Sequence, residues 1–121
     1  MTYNLPKRRK RQRAGIRPEP QLRCEAHRQF IRGHMCILFQ RRGHACWGKT
    51  EAAHVRTGTD GGTGVKPSDN FTVPMCSAAH RQQHDIGEAA FEKKWGIDMR
   101  AIADGLAKIS PALRKLKQRT A

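Results

Sequence analysis

The sequence predicts a small α+β domain in which two short strands lead into amphipathic helices, with strongly basic ends. Three observations carry that expectation. Apolar residues cluster at strand length around 52–55 and 71–73. From residue 78 to residue 109 they recur at helical spacing instead. Lysine and arginine total 24 against 10 aspartates and glutamates, a net charge of +14 over 121 residues. That length suits one domain plus a tail. The core of such a domain is modest, so a structural metal would be a useful supplement.

The elements follow in order. Residues 1–20 read as a disordered basic tail, because Lys7-Arg8-Arg9-Lys10-Arg11-Gln12-Arg13 is self-repelling and Pro6, Pro18 and Pro20 oppose regular structure. No apolar stretch follows the first charges, so no secretory signal is expected and a reducing cytosol is the default compartment. The domain is expected over 21–110. Leu22, Ala26, Phe30 and Ile31 predict a short helix that Gly33 stops. His34 to Phe39 reads as a strand, Arg41 to His44 as a turn, and the chain returns through Ala45-Cys46-Trp47. A second strand, Ala52 to Val55, carries His54. A glycine-rich connection, 58–64, leads to a third at Phe71–Val73, which Pro74 keeps out of any central ladder. Ser77 can cap a helix starting near Ala78 and running past Ile86, Ala90, Phe91 and Trp95 to Gly96. Asp98 can cap a last helix to Ile109, with Ile102, Leu106 and Ile109 facing inward. Pro111 breaks it, and 111–121 is expected to be a frayed basic end.

The charge excess favours a polyanion, with counterion release as the driving force, and nucleic acid leads. An anionic membrane is the weaker choice, since there is no long apolar run and no apolar face opposite the basic residues. In a reducing, histidine-rich chain, Cys24, Cys36, Cys46 and Cys76 point to metal before disulfides. The turn between Cys36 and Cys46 would bring their sulfurs together as in a zinc knuckle, with Cys76 as a third donor. His44, His34 and Cys24 are candidates for the fourth; Cys24 by itself reads as a buried free thiol. His54, at a strand end, can act as a general base near neutral pH. His80 and His84 are one helical turn apart and form half of an open metal site. Asn70 could bond across the loop, although Asp69-Asn70 also suits a plain turn. Arg56 could grip a phosphate. The glycines lack a following Lys-Ser/Thr at Walker spacing, which argues against a P-loop.

The ordered set His54, Asn70, His80 and His84, with Ala53-His54-Val55-Arg56, Lys66-Pro67-Ser68-Asp69 and Val73-Pro74-Met75-Cys76, resembles the HNH or ββα-metal nucleases. The likeness is greatest to small phage and prophage proteins of that type and to the recombination-enhancing nuclease group. It covers about Cys36 to Trp95, roughly half the chain. It implies a ββα-metal core with flanking helices that hydrolyses DNA phosphodiester bonds in a bacterial host cytoplasm, with a recombination or replication protein as a potential partner. It also implies roles: His54 as base, Asn70 as the structural asparagine, and His80 and His84 as ligands of Mg2+, Mn2+ or Zn2+. Structural Zn2+ would sit on Cys36, Cys46 and Cys76. DNA would be held by Arg56 and by Lys7, Arg8, Arg9, Lys10, Arg11 and Arg13. Two positions depart from the family pattern. Ala53 stands where many HNH proteins place a further metal ligand, so the metal would rest on His80 and His84 plus water or phosphate, or take His54 itself as a ligand, with Glu51 and Asp69 as distal substitutes. Ala79 stands where zinc-bearing relatives often carry the fourth zinc ligand. Ala53 favours the alternative of a non-catalytic, zinc-stabilised nucleic-acid-binding protein.

Overall fold

The computed structural model describes residues 21–61 and 66–120. The basic block Lys7 to Arg13 and the middle of the glycine-rich connection lie outside the described residues. The order of elements is α1 (Glu25–Arg32), β1 (Thr50–His54), β2 (Thr72–Cys76), α2 (Ser77–Ile86), α3 (Glu88–Trp95), α4 (Met99–Ile109) and α5 (Pro111–Thr120). The fold is therefore a small α+β domain with β1, β2 and α2 consecutive. No helix among the described residues is long and apolar enough to cross a membrane.

β1 and β2 pair antiparallel, with Thr50 opposite Cys76, Ala53 opposite Val73 and His54 opposite Thr72. A lone two-stranded sheet is marginal in water, and here helices cover both faces. Residues alternate between faces along each strand. Ala53, Val73 and Met75 point one way and pack with Ala79, Phe91, Met99 and Ala103 of α2, α3 and α4. α1 packs against both strands as well. The face that carries His54 and Thr72 meets the segment leading into α1, because Asp69 Oδ1 pairs with His54 while Asp69 Oδ2 accepts from the Cys24 N–H. Pro74 fits mid-strand because both strands are edges, and its carbonyl accepts from the Ile37 N–H at 2.9 Å.

Asp98 caps α4 as expected, accepting from the Ala101 N–H at 3.1 Å. Elsewhere the structure departs from the sequence reading. His34 to Phe39 is not a strand. The chain turns there, with Phe39 N–H on the Cys36 carbonyl and Arg41 N–H on the Leu38 carbonyl, and Gln40 takes a left-handed φ of 61°. Burial of Leu38 beside Cys36 overrides the β pattern. The helix expected to run to Gly96 breaks at Gly87, whose φ of 86° and ψ of 159° are non-helical. The N-cap of α2 is Cys76, whose sulfur accepts from the Ala79 N–H, while the Ser77 hydroxyl donates to the Lys49 carbonyl. Residues 111–120 form α5 in place of a frayed end. Pro111 opens that helix at its first position, where a missing N–H costs nothing. Ser110 ties α5 to α1: its hydroxyl lies 2.7 Å from Nδ1 of the buried His27, and Leu113 packs inward. Ile109, expected to face inward, is 55% exposed.

Candidate functional site

Three polar clusters surround the β1–β2–α2 unit. The first answers the question of the fourth donor to the cysteines. One donor atom from each of Cys36, His44, Cys46 and Cys76 lies within 4.8 Å of all the others, so the group could hold a metal ion. Tetrahedral zinc with one sulfur at about 2.3 Å and one nitrogen at about 2.0–2.1 Å sets those two donors about 3.5 Å apart. Cys76 Sγ and His44 Nε2 are 3.5 Å apart. The chain supplies the pieces from two places: the turn after Cys36 brings back His44 and Cys46, and Cys76 ends β2. His34 and Cys24 stay outside the cluster; Cys24 is the N-cap residue of α1.

Electrostatics also fit a cation. Burial alone would raise the Cys76 thiol, but the Ala79 and Trp47 N–H groups, His44 and Cys36 outweigh it and lower its pKa to about 6. Cys46 moves the other way, to about 12, through desolvation and then the neighbouring Cys36 and Cys76. Several thiolates crowded together repel one another, and a divalent ion removes that conflict.

The second cluster lies on α2 and β1. His80 Nδ1 is 2.7 Å from Glu51 Oε2, and His80 Nε2 is 3.0 Å from His84 Nε2. A carboxylate only accepts, so Nδ1 of His80 carries a proton and Nε2 is the ring nitrogen turned toward His84. Two ring nitrogens bound at about 2.1 Å in cis positions of an octahedral ion lie about 3.0 Å apart. Glu51 is thus not a third ligand. It holds the far nitrogen of His80, the arrangement that orients metal-binding imidazoles elsewhere. The pair opens onto a cavity of about 500 Å³ that Trp47, Ser77 and Arg81 also line.

The third cluster lies on the opposite face of the hairpin. His54 Nε2 donates to Asp69 Oδ1 at 2.9 Å. The other Asp69 oxygen accepts from the Cys24 N–H at 2.7 Å, with Arg28 Nε at 3.4 Å and Arg23 Nη1 at 3.7 Å from the carboxylate. The carboxylate is fully buried. Burial alone would raise its pKa, yet the His54 ring, the Cys24 N–H and Arg28 hold it below the ordinary range. Burial lowers the His54 pKa in spite of the opposing Asp69 bond, so the imidazole is neutral at pH 7.

The sequence grouped His54, Asn70, His80 and His84 at one centre. The structure brings His80 and His84 together and sets His54 on the other side of the sheet, three residues beyond Glu51, about 10 Å by strand rise. Asn70 is not the residue that bonds across to His54; Asp69, one position earlier, does this. Asn70 instead lines a groove with Leu22, Ala107 and Leu113. Arg56 lies exposed just past β1, where Glu88 clamps the backbone by accepting from the Arg56 and Thr57 N–H groups. Ala53 is fully buried in the core.

With this geometry in place, comparison with known proteins adds one result. A family model described as a protein of unknown function, DUF968, matches residues 16–111. The chain belongs to the DUF968 family. No curated protein and no solved structure matches it. The DUF968 match takes in all three clusters, from Arg23 to His84. Within this DUF968 chain, sequence reasoning had not assigned Trp47 or Glu88 any site role and had Glu51 only as a substitute ligand. The i+3 spacing of Glu51 and His54 does not reveal which face each takes until the register is known. His44 carried a usable signal, two positions before Cys46 across a turn.

Proposed function

We propose that this protein is a metal-dependent endonuclease of HNH type acting on DNA. The observation that carries the reading is the Glu51–His80–His84 relay on a consecutive β1–β2–α2 unit. One imidazole is held in a fixed tautomer by a carboxylate, and its free nitrogen converges with a second imidazole on an open cavity. A divalent cation held there would supply positive charge to the scissile phosphate and to the leaving oxygen. His80 and His84 hold that cation, and Glu51 fixes the orientation of His80. His54, neutral and oriented by Asp69, takes the proton of the attacking water. Its place on the other face requires the phosphate to straddle the end of β1. The Cys36–His44–Cys46–Cys76 group holds zinc as a structural ion, since three thiolates and one imidazole are a closed tetrahedral set. The net charge of +14 supplies affinity without sequence choice.

The fully buried Ala53 and the displaced His54 favour a second reading, a non-catalytic zinc-stabilised nucleic-acid-binding protein. Plasmid nicking with Mg2+ or Mn2+ separates the two. The nuclease reading expects cleavage by the wild type and its loss in His80→Ala. Wild-type protein that leaves both plasmid and single-stranded DNA intact sinks it. Cleavage lost in His80→Ala but kept in His54→Ala would leave the metal pair as the whole centre and remove His54 as the base.

A further inference from the structure

We propose that Trp47 is a stacking platform for an unpaired nucleobase beside the His80–His84 pair, so that the preferred substrate is single-stranded or locally opened DNA. The proposal rests on the nuclease reading and names the substrate class of that same site.

Trp47 is 66% exposed, an uncommon state for the largest apolar side chain. Its backbone is nevertheless fixed. The Trp47 carbonyl accepts from the Ala78 N–H in the first turn of α2. The next residue, Gly48, has φ of +81°, and a Cβ there would fall 2.4 Å from Ser77 Oγ. Only glycine lets the chain pass this close to α2, so Trp47 stands on a rigid mount with its ring toward solvent. The ring forms one wall of the cavity that also holds His80, His84 and Arg81. An exposed apolar surface rimmed by polar groups marks a binding surface.

The occupant follows from the charges and the shape. Arg81 is exposed and makes no ion pair among the described residues, so it can meet a phosphate of the strand whose base lies on Trp47. A nucleobase of any sequence offers a π-face, and stacking of this kind is how sequence-tolerant proteins hold single strands. In an intact duplex each base face is already covered by its neighbours, and exposing one requires extrusion from the stack. An aromatic wall next to a phosphate-directed histidine pair therefore selects a base that is already unpaired.

The test uses the full chain without added Mg2+ or Mn2+, so that binding is read apart from cleavage. A labelled oligonucleotide is titrated as a single strand and as its duplex, by anisotropy and by tryptophan emission. Single strand should quench the exposed Trp47, with the half-buried Trp95 as baseline. Trp47→Ala should weaken single-strand binding about ten-fold, Trp47→Phe should keep most of it, and duplex affinity should stay within about two-fold. Equal loss on both substrates, or no loss on single strand, overturns the proposal; an apolar protein segment as the true occupant would give the latter result. If Trp47→Ala fails to fold, Trp47→Phe and the wild-type quench decide, and absence of quench overturns it. The same proteins are then assayed with Mn2+. Single-strand preference without cleavage removes the nuclease reading and keeps the platform; cleavage with no such preference does the reverse.

Discussion

Asp69→Asn should be the most damaging change that leaves the domain's shape intact. The substitution keeps the volume and removes the charge. Asp69 is fully buried, and its oxygens meet the His54 ring, the Cys24 N–H, Arg28 and Arg23. Breaking a buried charged pair costs about 3–5 kcal/mol. Arg23 and Arg28 are 43% and 28% exposed, so water compensates part of the loss at that end. The His54 bond has no such relief: the imidazole N–H would face an amide that can turn only one acceptor toward either His54 or Cys24. A cost of about 3 kcal/mol results. At roughly 4 °C or more per kcal/mol for a domain near 100 residues, the melting temperature should drop by about 12 °C or more. Asn70→Ala is the control, since surface-type changes fall within about 0.5 kcal/mol. Circular dichroism melts at pH 7 measure both. A loss below about 1 kcal/mol for Asp69→Asn, or a larger loss for Asn70→Ala, would refute the assignment of Asp69 as the anchor of His54.

Three further outcomes follow from the same geometry. Metal analysis of the purified wild type should give about one tightly held zinc per chain; Cys46→Ser should lose it along with thermal stability, while Cys24→Ser should lose neither. Glu51→Gln should weaken Mn2+ binding at the His80–His84 pair at least about ten-fold by calorimetry, because the ring loses the carboxylate that orients it, and should leave the zinc in place. Stability should fall as pH drops below about 6.5, the ordinary histidine value. Burial lowers the pKa of both His27 and His54, so the unfolded chain takes up protons first and stability rises with pH across that interval. Asp69, also lowered, extends the loss further into acid. Denaturant midpoints that stay flat from neutral pH to about pH 5 would contradict this.

Much of the core was legible because it rests on period and punctuation. The strand-length apolar cluster at 52–55, the i,i+4 spacing of His80 and His84, and the cap at Asp98 are local signals, and the structure keeps all three. What was not legible depends on contacts far apart in sequence. The strand pattern of 34–39 gives way to turns because the sulfur of Cys36 and the side chain of Leu38 are drawn to Cys76 and the core. Pro111 reads as a stop after α4, yet it starts α5 because Ser110 finds His27 on α1. In the candidate site, residue types were readable and faces were not. His54 and Glu51 are three positions apart on one strand, so period two sends them to opposite sides. No sequence spacing tells which of them meets α2.

The clusters depend on one another through α2. Cys76 belongs to the group that could hold a metal ion and is the N-cap of the helix that carries His80 four residues later, a rise of about 6 Å. Its sulfur accepts from the Ala79 N–H, so a thiolate fixed in place also fixes the first turn of α2. The Trp47 carbonyl and Ser77 hydroxyl tie the same turn to the chain beside Cys46. On the proposed zinc reading, loss of the ion would free the loop from Cys36 to Gly48 and the start of α2 together. His80 would then lose its register against Glu51, although neither residue belongs to the cysteine group. A domain with so small a core can place a histidine pair precisely only if something rigid holds the helix that bears it, and the cysteine group sits where that rigidity is needed.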